Sequence, residues 1–311
     1  MEFSGIRKLF GNNELPTVVS DSSYVLTRFS GSGFCVLHMD EVTSKKIIPP
    51  TKILLIPAVP SVHPNESLLE ALKQSAVLVV PLLAFSSGNK DVDYLLDRLS
   101  TLCFESTTKK NLELTEFIQY LDTPIIVESS KCKLMVELGD DVDIMVPKVE
   151  ANIAIGQWVS IIQYLELGLV PNANNNSFKV NGTLSCDGVT IAHHLHSHFT
   201  AGPLALQAWQ VFEELRANNQ FPLILEIEQS ILKSILTNDG IEVLQRILPL
   251  TDEIMRGSLT EVAFAALSAS GDTDWSINSQ LNEPAGGFHI GIGAGEQAAH
   301  IDFVSPNAIY Q

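Results

Sequence analysis

The chain has 311 residues, a formal net charge of −17 at pH 7, and 45% hydrophobic against 18% charged residues. That length and apolar content exclude global disorder and suffice for one large or two ordinary domains with a sizeable core. The acidic balance excludes a nucleic-acid footprint and docking on an anionic membrane surface.

Residues 1–22 are polar and read as an irregular or docking segment. Tyr24 to Thr27 and Phe34 to Leu37 read as short strands around Ser30-Gly31-Ser32-Gly33. No helix pattern follows that turn, so it is not a phosphate loop. An α/β rhythm then begins. Lys52 to Ile56 and Ala76 to Phe85 are buried-strand runs, and another strand starts at Pro124. Between them Ser67 to Ser75, Asp91 to Leu102 and Leu112 to Leu121 have helical spacing. Strands without alternation, separated by helices, predict a parallel sheet covered on both faces.

From Cys132 the texture changes to strands with turn signals between them: Lys133 to Glu137, Val142 to Val146, Trp158 to Leu169, Ser177 to Leu184 and Val189 to His198. A helix over Pro203 to Ala217, a strand over Pro222 to Glu228, a helix over Gln229 to Ile247 and a strand over Ser258 to Leu267 follow. The expected fold class is α/β. An N-terminal parallel-sheet α/β domain, 1–145, precedes a strand-rich α+β domain, 146–311, that carries the chemistry.

Cys35, Cys103, Cys132 and Cys186 form no C-x-x-C pair and sit in or beside apolar runs, so they read as buried free thiols. The first 17 residues lack an apolar signal region, and no apolar run reaches the roughly 18 residues a membrane span requires. A reducing cytosol is the expected setting, with neither membrane nor nucleic acid as partner.

The chemistry concentrates near the C-terminus. Gly286 to Gly293 and His300 to Val304 both alternate small or polar with large apolar residues, which reads as two strands. His300 and Asp302 share one face of the second arm; His289, Gly291 and Gly293 share one face of the first. A hairpin turning at Ala294 to Gln297 places His289 opposite Asp302 and Gly291 opposite His300. Opposed Cβ atoms stand roughly 5 Å apart, so three polar side chains converge on one ion. Two imidazoles and a carboxylate with open positions suit a catalytic divalent metal such as Fe(II). An H-x-D pair on a strand is also common by chance, and a one-residue slip turns His289 to the wrong face.

Glu261 interrupts an otherwise apolar strand, which is costly unless it is paired or bound to metal; an ion pair with Arg256 or an exposed edge is the equally open alternative. Six of the eight histidines lie after residue 190. Within them His194, His196 and His198 share a strand face. Such neighbours splay about 6.5 Å apart and seldom enclose an ion unaided, so His194 and His196 are candidates for substrate contact or proton relay instead. No G-x-S-x-G nucleophile motif is present.

Taken in order, "RGSLTEVAF", "EPAGGFHIGIGAG" and "HIDFV", with the looser "GQWVSIIQYLELGL" and "FKVNGTLSCDGV", resemble a superfamily over residues 146–306. It joins the thermophilic-type metallo-aminopeptidases (aminopeptidase T and S) with the iron-dependent 2,5-dihydroxypyridine 5,6-dioxygenases. The resemblance implies a metal centre lined by Glu261, His289, His300 and Asp302, and a homo-oligomer. Three departures matter. The aminopeptidases' bridging glutamate, in a Pro-Gly-Glu-like turn, is matched only by Gly156-Gln157, and Gln supplies no anionic ligand. Their tyrosine after the second-motif histidine is replaced by Ala294 to Gln297, and the His289-to-His300 segment is short.

Three functions follow from this. The first is a mononuclear non-haem enzyme like the ring-cleaving dioxygenases, with His289, His300 and Asp302 as ligands, Fe(II) favoured over Zn, Co or Mn, and Glu261 as extra ligand or base. The second is a metal-dependent aminopeptidase. The third is a non-catalytic relative that holds a peptide or small molecule in the same cleft.

Overall fold

A computed structural model describes residues 2–11, 14–44, 47–58, 66–83, 85, 89–139, 142–171, 177–193, 202–267 and 273–311. The N-terminal region is built on a parallel sheet in the order Val36–His38, Thr17–Ser20, Lys52–Ile56, Ala76–Val79, Trp158–Ser160. Successive residues of one strand serve opposite cores. Leu54 and Ile56 pack with helices Ser4–Leu9, Ser23–Gly31 and Asn89–Thr101, while Ile53 and Leu55 pack with Met39–Thr43 and Glu66–Leu72. Burial on both sides is why these strands show no alternation.

Two local expectations yield to helical packing. Tyr24 to Thr27 is helix, not strand: Ser22 caps it by accepting from the Val25 N–H, and Val25 and Phe29, one turn apart, are both buried. The segment expected to be irregular holds a helix, Ser4–Leu9, and the strand Thr17–Ser20. All four cysteines are free, with Cys35 and Cys103 exposed rather than buried.

The remaining strands form two antiparallel sheets. The first runs Ile231–Leu236, Leu223–Glu228, Phe178–Cys186, Cys132–Leu138, Ile125–Ser129, Ile309–Tyr310. Here the helix expected over Gln229 to Ile247 is a hairpin followed by a short helix, Leu244–Ile247. Gln229 and Ser230 take φ of 52° and 59°, the two-residue turn such a hairpin needs. Asn181 Oδ1 and Ser230 Oγ fix it, accepting from the N–H groups of Gln229 and Val180.

The second antiparallel sheet runs Gly188–Ala192, His300–Ser305, Phe288–Ile292, Leu259–Ala265, Glu166–Val170, Asp143–Met145. Its inner face gives Leu167, Leu169, Val262, Phe264, Phe288, Ile290, Ile292, Ile301 and Phe303 to a core shared with the first sheet and helix Gly202–Ala217. The architecture is therefore a parallel-sheet α/β region with a strand-rich α+β region. The chain passes between sheets on both sides of residue 145, since strands 125–138 join the antiparallel sheet and Trp158–Ser160 returns to the parallel one. Among the described residues no helix is long and apolar enough to cross a membrane.

Candidate metal centre

Because side chains alternate, filling one face of the second antiparallel sheet with apolar groups sends their neighbours to the other. That other face carries Glu166 and Gly168, Glu261, His289 and Gly291, and His300 and Asp302 on four adjacent strands. It is nevertheless dry: Glu166 is 2%, Glu261 7%, His289 1% and Asp302 0% exposed. Glu283, 7% exposed, enters from the loop before Phe288–Ile292. Asn278 ties that loop to the edge strand by bonding both backbone groups of Ile191, and Asn282 holds it by donating to the carbonyls of Asp274 and Ile277.

The polar groups meet at ligand-like separations. His300 Nε2 lies 2.8 Å from Asp302 Oδ1 and 3.4 Å from Glu261 Oε2. His289 Nε2 lies 3.8 Å from Glu261 Oε1 and 3.9 Å from Glu283 Oε1, and its Nδ1 is 4.0 Å from Glu166 Oε2. Two donor groups result, Glu261 with His300 and Asp302, and Glu166 with Glu261, Glu283 and His289; within each, the donor atoms all lie within 4.8 Å of one another.

His300, Asp302 and Glu261 thus come together. His289 shares their face but groups with Glu166 and Glu283 rather than with His300 and Asp302. The hairpin register also differs from expectation. Gly291 pairs with Asp302 and His289 with Val304, a slip of two residues that keeps every side chain on its face. The cause is a wider turn: Asp252 accepts from the N–H groups of Ala294, Gly295 and Gln297, and Ala299 N–H donates to Leu250. His194 and His196 lie outside the described residues. The strand leading towards them pairs Ala192 with His300, and the His193 ring stacks on Phe85 at 6.1 Å.

Glu166 and Glu283 were not singled out from the sequence. Glu166 had a signal, since it alternates with Leu167, Gly168 and Leu169, but the run Trp158 to Leu169 is a strand, a short helix and a second strand rather than one element. Glu283 lies in an aperiodic loop, and its only signal was its place at the head of the motif "EPAGGFHIGIGAG". Gln157 belongs to neither group: it is exposed, and its side chain accepts from the Ala154 N–H.

Electrostatics set these groups apart. Burial, then the charges of Glu283, Glu261 and Asp302, push the Glu166 carboxyl well up. Burial, then Asp302 and Glu261, do the same to Glu283. Burial also opposes ionisation of Glu261, but the imidazoles of His289 and His300 beside it outweigh that and bring this carboxyl down to about 2. For His300, burial disfavours the charge and the Asp302 and Glu261 carboxylates override it, raising the imidazole.

A divalent cation fits this chemistry. His300 Nδ1 donates to the Gly293 carbonyl at 2.6 Å, which leaves Nε2 as the nitrogen aimed at the carboxylates. Thr190 Oγ1 donates to the outer Asp302 oxygen at 3.3 Å. Both Glu166 oxygens, Glu261 Oε1, His289 Nε2 and Asp302 Oδ1 are buried with no hydrogen-bond partner. No lysine or arginine among the described residues pairs with any of the four carboxylates. Buried carboxylates of this number are strongly unfavourable unless protons or metal ions neutralise them.

A family model described as crocagin biosynthetic protein CgnE/B matches residues 12–311. No curated protein matches the chain. Two solved structures share its fold at 12% identity. Wild-type AmpT from Thermus thermophilus aligns with a TM-score of 0.51 over 98% of this chain and 91% of its own. The 2,5-dihydroxypyridine dioxygenase from Pseudomonas putida KT2440 aligns with a TM-score of 0.54 over 100% of this chain and 92% of its own.

Proposed function

From a chain that belongs to the crocagin biosynthetic protein CgnE/B family, we propose a divalent-metal enzyme of that biosynthesis, acting hydrolytically on a peptide or small amide. The observation that carries this is the convergence of His300 Nε2, Asp302 Oδ1 and Glu261 Oε2 in a site where no lysine or arginine among the described residues pairs with the carboxylates. A cation held there would act as a Lewis acid on a carbonyl oxygen or a bound water. Gly293 fixes the His300 tautomer through its carbonyl, and Thr190 steers Asp302. Glu261, kept ionised by the two histidines, is suited to hold the cation rather than to take a proton. The His300 side chain, 18% exposed, is the most open member of the group, so the reacting bond approaches from its side.

Hydrolysis is favoured over ring cleavage because the mononuclear oxygenase reading needs His289 and His300 on one ion, and these two fall into different donor groups. The experiment is elemental analysis with paired assays. Purified protein should retain a divalent metal and release N-terminal residues from peptides or amides with Mn(II), Co(II) or Zn(II). His300→Ala and Asp302→Asn should lose both properties. Oxygen uptake on a dihydroxylated ring, dependent on Fe(II), would instead select the oxygenase, and a chain that retains no metal would sink both.

A further inference from the structure

Away from the metal centre, a cleft of about 650 Å³ opens at the Ala265 end of strand Leu259–Ala265. None of Glu166, Glu261, Glu283, His289, His300 or Asp302 lines it. Its floor is small and apolar, with Ala265, Ala266 and Ala308 all buried. Its rim is polar: Lys109, Lys110 and Glu113 come from helix Phe104–Gln119, and Tyr310 from the C-terminal strand. A concavity of that size matches the roughly 300–1,000 Å³ that enclose one small molecule, with an apolar lining and a few polar groups to orient it.

The chain carries a net charge of −17, so two adjacent lysines on one cleft run against its overall field. Lys110 meets Glu113 at 3.5 Å in a half-exposed pair that contributes little. Lys109 pairs with no carboxylate among the described residues. Tyr310 is the third donor. Its ring is fixed edge-on against Phe264 at 4.9 Å and beside Phe117 at 6.1 Å, which places its hydroxyl. Burial and then the Glu113 charge raise that phenol, so it stays an O–H donor. Helix lysines are usually solvated surface charge; the buried alanine floor and the packed phenol set these apart. We propose that this cleft is a ligand site for a small organic carboxylate, its apolar body on the alanine floor and its anionic head at the Lys109, Lys110 and Tyr310 rim. Glu113 leaves the rim one positive charge in excess, which suits a monoanion over a doubly charged phosphate. The site requires no metal, so it stands independently of the hydrolytic function.

Naphthoate is the probe, since it joins an aromatic body to one carboxylate. Full-length protein titrated with it in a calorimeter should bind one equivalent, equally with and without chelator. Naphthamide, the neutral isostere, should bind at least about tenfold more weakly, because the bonds to charged groups are lost. The Lys109→Gln, Lys110→Gln double variant should lose naphthoate affinity by about the same factor. Tyr310→Phe, which removes only the hydroxyl, should cost about three- to tenfold, and Glu113→Gln should tighten binding. Lys109 and Lys110 lie on the outer face of their helix, and circular dichroism checks that each variant folds. Equal affinity for acid and amide, or unchanged affinity in the double variant, would overturn the site by placing the probe on other apolar surface. Tighter binding of naphthyl phosphate would overturn the carboxylate. Loss of binding on chelation or in His300→Ala would put the probe at the metal centre, overturning this site and leaving the metal reading intact. No binding by wild type would overturn it outright.

Discussion

Gly291 lies directly across from Asp302, and a Cβ at 291 would stand 2.9 Å from Asp302 Oδ1, 2.8 Å from the His300 ring and 3.0 Å from Glu261 Cβ. The missing side chain is the space in which the first donor group converges. Gly291→Ala must displace one of these three groups. Overpacking of a filled site costs about 1–3 kcal/mol, and the displaced ligand should weaken cation binding at least about tenfold. Urea denaturation and Mn(II) titration measure the two effects. Unchanged binding in the variant would mean that these residues do not hold the ion.

Cation binding should appear as stability. A ligand that binds only the folded chain stabilises it by about 2.7 kcal/mol at one hundred times its dissociation constant. Chelator should therefore lower the melting temperature, and divalent cation should restore it. Asp302→Asn, which keeps the shape and removes the charge, should show a smaller cation-dependent rise in melting temperature than wild type, as read by differential scanning fluorimetry.

The pH dependence of the metal-free chain has a definite sign. Glu166 and Glu283 titrate above 4.5 in the folded chain, so above that value they hold protons the unfolded chain has released. Their contribution is complete below 4.5 and is lost as pH rises towards their raised values. His300, raised above 6.5, adds the same downward trend above that value. Glu261, lowered to about 2, works oppositely: its contribution is present above 4.5 and is lost as pH falls through about 2. Metal-free protein should thus lose unfolding free energy as pH rises above 4.5, and again above 6.5. With cation the trend should reverse, because ligands bind metal only when deprotonated. Denaturant curves across that range, with and without Mn(II), are the check; a flat metal-free profile would contradict the assignment.

Much of this centre was legible because alternation is a local property. Phe288, Ile290 and Ile292 identify a core face, so His289 and Gly291 must occupy the other, and the same holds for His300 and Asp302 around Ile301. The register was not legible, because Asp252, far away in sequence, sets the width of the turn. The error was two residues, which preserves the face; a slip of one would have destroyed the site. Glu166 was hidden by a break in secondary structure, as helix Ile162–Leu165 separates its strand from Trp158–Ser160. Glu283 is placed by Asn278, Asn282 and Ile191, contacts that no periodicity announces. The helix expected from Gln229 failed where two consecutive left-handed residues turn the chain back on itself.

The turn-forming role of Asp252 gives the sharpest separation between folding and chemistry. Its carboxylate is 6% exposed and accepts three backbone N–H groups, from Ala294 at 3.0 Å, Gly295 at 2.9 Å and Gln297 at 2.7 Å. It touches neither donor group, yet Gly293, whose carbonyl orients His300, directly precedes the first of these donors. Asp252→Ala leaves three donors without their partner, and each buried unsatisfied group costs about 1–3 kcal/mol, less where water reaches the opened turn. A loss of about 2–4 kcal/mol in urea denaturation is expected. With His300 no longer held, affinity for Mn(II) at the His300–Asp302 site should fall about 10–100-fold, as when an outer partner of a metal ligand is removed. Asp252→Asn keeps one acceptor oxygen and should fall between wild type and Ala in both measurements. Wild-type Mn(II) affinity in a destabilised Asp252→Ala protein would show that His300 is oriented by something other than this turn.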